Sequence, residues 1–81
     1  MNIEADLRQF IASELLTAER APQLADDSAL VSSGWVDSMG LLQILGFIQQ
    51  RFNVDLMSVG NPRDFDSIAA LAAAVRRSKA E

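Results

Sequence analysis

Asp37-Ser38-Met39-Gly40-Leu41-Leu42-Gln43-Ile44-Leu45-Gly46-Phe47-Ile48-Gln49-Gln50-Arg51-Phe52-Asn53 is the stretch that decides the fold. Leu41, Ile44, Leu45, Ile48 and Phe52 recur at the three- and four-residue spacing that puts side chains on one face of a helix. Asp37 or Ser38 can cap its start, and the helix is expected to end near Asn53. A hydroxyl at a helix start lies among outward-pointing backbone N–H groups, which favour a negatively charged group such as a phosphate. Ser38 is therefore a candidate phosphate attachment point.

Turned at 100° per residue, the same helix places Met39, Leu42, Gln43, Gly46 and Gln50 on the side opposite the apolar stripe. That side is expected to be polar if water alone covers it, yet Arg51 is the only charged residue from Ser38 to Asn53. Met39, Leu42, Gln43, Gly46 and Gln50 are thus a candidate partner-docking face. The alternative is that the preceding loop or a short helix covers Met39 and Leu42 and makes them core. Gly40 and Gly46 each cost about 1 kcal/mol relative to alanine in a helix interior, so a local reason is expected for both.

Outward from this helix, two further segments carry helical periodicity. Ile3, Leu7, Phe10, Ile11 and Leu15 form one face, with Asn2 as a cap and Glu4 and Asp6 in the electropositive first turn. Ile68, Leu71, Ala72 and Val75 form another, capped by Asp66 or Ser67 and running to about Ser78 through an alanine-rich interior. Between Leu56 and Asp66 there is room for one short helix, which Pro62 is suited to open. Asn53-Val54-Asp55-Leu56 comes nearest to strand alternation, but a lone strand has no partner. The expected fold is all-α: a small four-helix bundle of three main helices and one short one, spanning residues 1–81 as one domain. The long connection from Thr17 to Val36 needs anchoring, for which Leu24, Leu30 and Val31 are the expected pins. Trp35 is expected to anchor the same loop rather than to stack on a ligand.

Composition narrows the chemistry. Among 81 residues there is no Cys and no His, which removes thiolate nucleophiles, imidazole bases, disulfides and most zinc arrangements. A small enzyme would depend on a carboxylate such as Asp37 raised in pKa by burial, with no paired acid to help it. Eleven acidic against seven basic residues give a formal charge of −4. Arg76, Arg77 and Lys79 cluster only at the C-terminus, where they are expected to oppose a helix dipole, so no nucleic-acid partner is expected. The longest apolar run, Ile68 to Val75, is too short to cross a bilayer, and Glu4 and Asp6 stand where a signal peptide would carry basic residues. A cytoplasmic monomer without membrane contact is the expectation.

Read in order, Asp26-Asp27-Ser28-Ala29-Leu30, Gly34-Trp35-Val36-Asp37-Ser38-Met39, Leu41-Leu42, Gln50-Arg51-Phe52-Asn53-Val54-Asp55-Leu56 and Phe65-Asp66-Ser67-Ile68 resemble the acyl carrier protein family, with its peptidyl and aminoacyl relatives. The resemblance spans residues 3 to 77. It implies that Ser38 carries 4′-phosphopantetheine, derived from coenzyme A, and that Asp37 orients the helix start and helps position the transferase's magnesium. It also implies the partners: a phosphopantetheinyl transferase, an acyl- or aminoacyl-loading ligase, and downstream transferases. The protein would then be a substrate and not a catalyst.

Two departures refine this expectation. Carriers of fatty acid synthesis typically bear acids along the second helix, where this chain has Gln43, Gln49, Gln50 and Arg51. The site also reads Val-Asp-Ser-Met and not the Gly-Gly-His-Ser or Gly-Gly-Asp-Ser forms of modular peptide synthetases. The first puts fatty acid synthase partners in doubt, and the second argues for a free-standing carrier of a dedicated, secondary-metabolite-type pathway. The alternatives are a fatty acid synthase carrier and an unmodified helical interaction module.

Overall fold

Three capped amphipathic helices supply most of the architecture, and in each the cap residue explains where the helix begins. The computed structural model describes residues 2–16, 19, 21–59 and 65–80. Helix α1 runs Ile3–Glu14, α2 runs Ser38–Phe52, α3 is the single turn Leu56–Val59, and α4 runs Ile68–Ala80. A 3₁₀ turn, Ala21–Gln23, interrupts the connection between α1 and α2. Among the described residues every regular element is helical. The Cα radius of gyration is 11.6 Å, close to the roughly 12 Å expected of a compact chain of this length.

At α1, the Asn2 side chain accepts a hydrogen bond from the Ala5 N–H at 3.0 Å. At α2, the Asp37 carboxylate accepts from the Gly40 N–H at 2.8 Å, and Asn53 closes the helix in the left-handed region at φ 58°. Asparagine is among the few residues that adopt this conformation at low cost. At α4, Ser67 is the residue that caps, its hydroxyl accepting from the Ala70 N–H at 3.0 Å. Asp66, the other candidate, is engaged elsewhere. Helix α4 extends to Ala80, slightly beyond the expected Ser78.

The buried apolar residues form one cluster. Ile3, Leu7 and Ile11 of α1, Leu41, Ile44, Leu45, Ile48 and Phe52 of α2, and Ile68, Leu71, Ala72 and Val75 of α4 all lie within it. Each fully buried leucine or isoleucine contributes about 1.5–3 kcal/mol of transfer free energy. Phe10 and Leu15 only pack against the cluster's edge. Phe10 instead stacks on Phe47, ring centroids 4.3 Å apart and planes 17° from parallel, and Phe47 meets Phe52 edge-on at 6.2 Å.

Two expectations need correction. Leu24 and Leu30 are buried pins of the long connection, but Val31 is exposed and Val36 is buried in its place. Leu30 and Val31 both bond to Asp66, Leu30 through the backbone carbonyl and Val31 through the carboxylate. The turn they begin sends consecutive side chains in different directions, and only Leu30 reaches the core. A single helical turn, Leu56–Val59, lies at the start of the segment where a short helix is expected; Pro62, suited to open one, lies outside the described residues. Arg76 does not serve the α4 dipole. It forms a two-pronged ion pair with Glu4 at 2.8 and 2.6 Å, which ties α4 to the start of α1. Arg77 and Lys79 remain in the last turn, where their charge opposes the helix's negative end.

That pair holds the Glu4 carboxyl at about 2, the Arg76 hydrogen bond being the main cause. Arg51 reaches Asp6 at 3.5 Å, and Arg8 bonds to Asp26. Exposed pairs of this kind are screened by water and contribute little, so the apolar cluster dominates stability. Asp26 has a second use, its carbonyl accepting from the Ala69 N–H at 2.9 Å.

Candidate functional site

Ser38 is the first residue of α2, and it is exposed. Its position is set from both sides. Leu30 to Val36 fold into a closed turn through Gly34 N–H to the Val31 carbonyl at 3.1 Å and Val36 N–H to the Leu30 carbonyl at 2.9 Å. Gly34 sits at φ +79°, a conformation that side-chain-bearing residues rarely take. Trp35 is half-buried and packs against the core cluster, as a loop anchor does. Val36 is 7% exposed. Downstream, Asp37 caps the helix while its carbonyl accepts the Leu41 N–H at 3.0 Å.

Gly40 locks these two sides together. A Cβ placed on it would lie 3.0 Å from the Val36 Cβ and 3.4 Å from Asp37 Oδ1. Only a residue without a side chain lets Val36 and the cap close against the helix at this distance. The local reason expected for Gly40 is therefore this contact. Beside Ser38, Leu15, Gly34, Trp35, Val36, Asp37 and Gly40 line a shallow cavity of about 300 Å³.

The sequence-derived docking residues share an exposed side of α2. Met39 is 64% exposed and Leu42 46%, so neither the loop nor the short helix covers them. Gln43 and Gln50 are exposed and Gly46 half-buried. A Cβ on Gly46 would meet nothing within 4 Å, so close packing within the chain does not explain this glycine. Gln43, Gly46 and Gln50 line a groove of about 360 Å³ with Phe10, Glu14 and Phe47. Met39 and Leu42 lie nearer the helix start and outside that groove's lining. Sequence reading missed Phe10 and Phe47 as groove walls. Phe47 stands four residues after Gln43 and three before Gln50, a spacing that marks it as their neighbour on the helix surface.

Ser38 supplies one accessible hydroxyl at a helix start whose partial positive charge favours an attached phosphodiester. Asp37 spends one carboxylate oxygen on the cap and keeps the helix start in place. These residues would fit a phosphopantetheine group: Ser38 is exposed, and Asp37 and Gly40 on either side of it line an open cavity. Among the described residues no three carboxylates come together in a way that could hold a metal ion, and no helix is long and apolar enough to cross a membrane. Comparison of the chain with family models, curated proteins and solved structures found no match.

Proposed function

We propose that this chain is a phosphopantetheine-dependent carrier protein that presents an acyl or aminoacyl group to the enzymes of a dedicated biosynthetic pathway. The observation that carries the reading is the exposed Ser38 at the first position of α2, between the Asp37 cap and the Gly40 contact. The ordered resemblance of residues 3 to 77 to acyl carrier proteins supports it. On this reading α1, α2 and α4 with the short α3 form a carrier-type four-helix bundle, monomeric and cytoplasmic, where coenzyme A and its transferases operate.

In the modification step the Ser38 hydroxyl oxygen forms a bond to the phosphorus that bears pantetheine. The phosphoanhydride bond of coenzyme A breaks, adenosine 3′,5′-bisphosphate leaves, and the serine proton passes to a base on the transferase. Asp37 holds the helix start steady and lies close enough in sequence to help place the transferase's magnesium. When bound, the arm supplies a terminal thiol that carries cargo as a thioester. The tether keeps cargo at high local concentration near a partner's active site, while Met39, Leu42, Gln43, Gly46 and Gln50 form the docking face for the phosphopantetheinyl transferase, the loading ligase and downstream transferases. Without acids on α2, fatty acid synthase partners are the weaker alternative.

Intact-mass measurement after incubation with coenzyme A and a broad-specificity phosphopantetheinyl transferase tests this. The wild-type chain should gain one arm and Ser38→Ala none, with Ser32, Ser33 and Ser67 unmodified. Asp37 supplies the cap, so Ser38→Ala should change stability by no more than about 0.5 kcal/mol. A wild-type chain that gains no mass, or a Ser38→Ala chain that does, overturns the assignment. A second reading, an unmodified module that binds a partner helix, draws on the exposure of Met39 and Leu42 and predicts no mass gain.

A further inference from the structure

We propose that Asp66, distant from Ser38 in the chain, is the positioning residue that holds the Ser38-presenting turn in place. Its carboxylate accepts hydrogen bonds from the Val31 N–H at 2.6 Å and the Ser32 N–H at 3.2 Å, and from the Ser32 hydroxyl. Its backbone carbonyl accepts from the Leu30 N–H at 2.8 Å. One residue thus satisfies three consecutive backbone N–H groups and one hydroxyl of a loop 35 positions away. The Ser32 hydroxyl and the Val31 and Ser32 N–H groups hold the Asp66 carboxyl below the usual aspartate range, as expected of an acid whose charged form is hydrogen-bonded.

Asp66 is itself well anchored. Phe65 and Ile68 on either side of it are buried at 2% and 0% exposure, and Ser67 caps α4. From this fixed point the restraint passes to Ser38 through the turn and the helix cap. Leu30 and Val31 are the acceptors that close the turn on Val36 and Gly34. Val36 lies against Gly40, and Asp37 caps Gly40. Ser38 stands between them. Without the Asp66 carboxylate, Val31 and Ser32 lose the hydrogen bonds that tie them to the segment leading into α4, and the turn before Ser38 loosens.

The link to Ser38 modification rests on the carrier reading; the restraint on the turn does not. Amide hydrogen exchange and transferase kinetics, both on the full chain, test the two separately. Asp66→Ala should raise exchange at Val36 and Gly40 about tenfold, as loss of a few hydrogen bonds predicts, while Ile48 and Leu71 keep their protection. With coenzyme A and the transferase, KM for this carrier variant should rise about tenfold at little-changed kcat. Asp66→Asn keeps an oxygen acceptor for the two N–H groups and should fall between wild type and alanine. Ser32→Ala removes one donor and should have the mildest effect; with Asp66→Asn it provides the test if the alanine variant does not fold. Unchanged exchange at Val36 and Gly40, or an equal rise at Ile48 and Leu71, overturns the positioning role. So does modification at the wild-type KM. A wild-type chain that shows the exchange pattern but gains no arm overturns the carrier reading alone.

Discussion

Gly40 and Gly46 lie in the same helix, less than two turns apart, in opposite surroundings. Around Gly40 the chain is closed on itself, with Val36 and Asp37 where a side chain would have to go; around Gly46 there is open space. Each glycine costs the helix about 1 kcal/mol relative to alanine. At Gly40 that cost is offset within the chain, because it permits the contact that fixes the turn before Ser38. At Gly46 nothing inside the chain offsets it. The start of α2 is closed by its neighbours, and its middle leaves room beside the backbone. On the carrier reading, the closed start would serve presentation and the open middle docking.

The inward face common to both halves of α2 should give the largest effect. Ile48 is fully buried, so Ile48→Ala should destabilise the chain by about 2–5 kcal/mol, read from the denaturation midpoint. An unchanged midpoint would mean that the helix is rotated from the face assigned to it, and the contrast between its two sides would fail with it.

Gly40→Ala comes next. The new methyl would sit 3.0 Å from the Val36 Cβ, an atom one bond from a backbone held by its hydrogen bond to Leu30. A flexible side-chain end could swing aside, but this atom cannot. Overpacking of this kind costs about 1–3 kcal/mol, which outweighs the alanine's better helix propensity. The net loss should be about 1 kcal/mol, accompanied by slower arm transfer to Ser38. A more stable, normally modified variant would show that the turn yields easily and that Gly40 does not hold it.

How far these differences can be read from sequence depends on the range over which each is set. The α2 stripe, the Asn2 cap and the end at Asn53 follow from local spacing and local hydrogen bonding, and the structure places them as expected. The exchange of Val31 for Val36 as a loop pin does not follow from local pattern. It is fixed by bonds between Leu30 or Val31 and Asp66, and such long-range pairs leave no periodicity in the chain. Arg76 misled for the same reason, its partner Glu4 lying 72 positions away. Of the candidate site, the exposure of Ser38, Met39 and Leu42 was legible because helical phase determines it. The stacking of Phe10 on Phe47 was not, since it depends on how α1 crosses α2.

Gly46→Ala should have a smaller effect than Gly40→Ala and the opposite sign. With no atom within 4 Å of the added methyl, only the propensity gain remains, and the chain should become more stable by about 0.5–1 kcal/mol. Thermal unfolding reads this directly. Destabilisation would mean that the groove beside Phe47 is tighter than it is here and that both glycines serve internal packing.

The smallest stability effect, and the one that bears most on docking, belongs to Met39→Glu and Leu42→Glu. Both side chains are more exposed than buried neighbours on the inner stripe, at 64% and 46%. Leucine, methionine and glutamate have similar helix propensities, and a carboxylate near the start of a helix is favoured by its dipole. Stability should therefore stay within about 0.5 kcal/mol of wild type. If this face meets partners through apolar contact, a carboxylate there must be desolvated or left unpaired on binding. A penalty of only about 1.4 kcal/mol corresponds to a tenfold weaker complex. Arm transfer measured at sub-saturating carrier should accordingly slow by about tenfold with unchanged thermal unfolding. The wild-type rate should depend only weakly on added salt, because α2 has few charges to screen. If both variants are modified at the wild-type rate, the transferase reads another surface, and the closed turn from Leu30 to Val36 becomes the region to mutate next. If instead the wild-type rate falls steeply with salt, recognition runs through charges outside this face, and the open middle of α2 loses its docking role in this step.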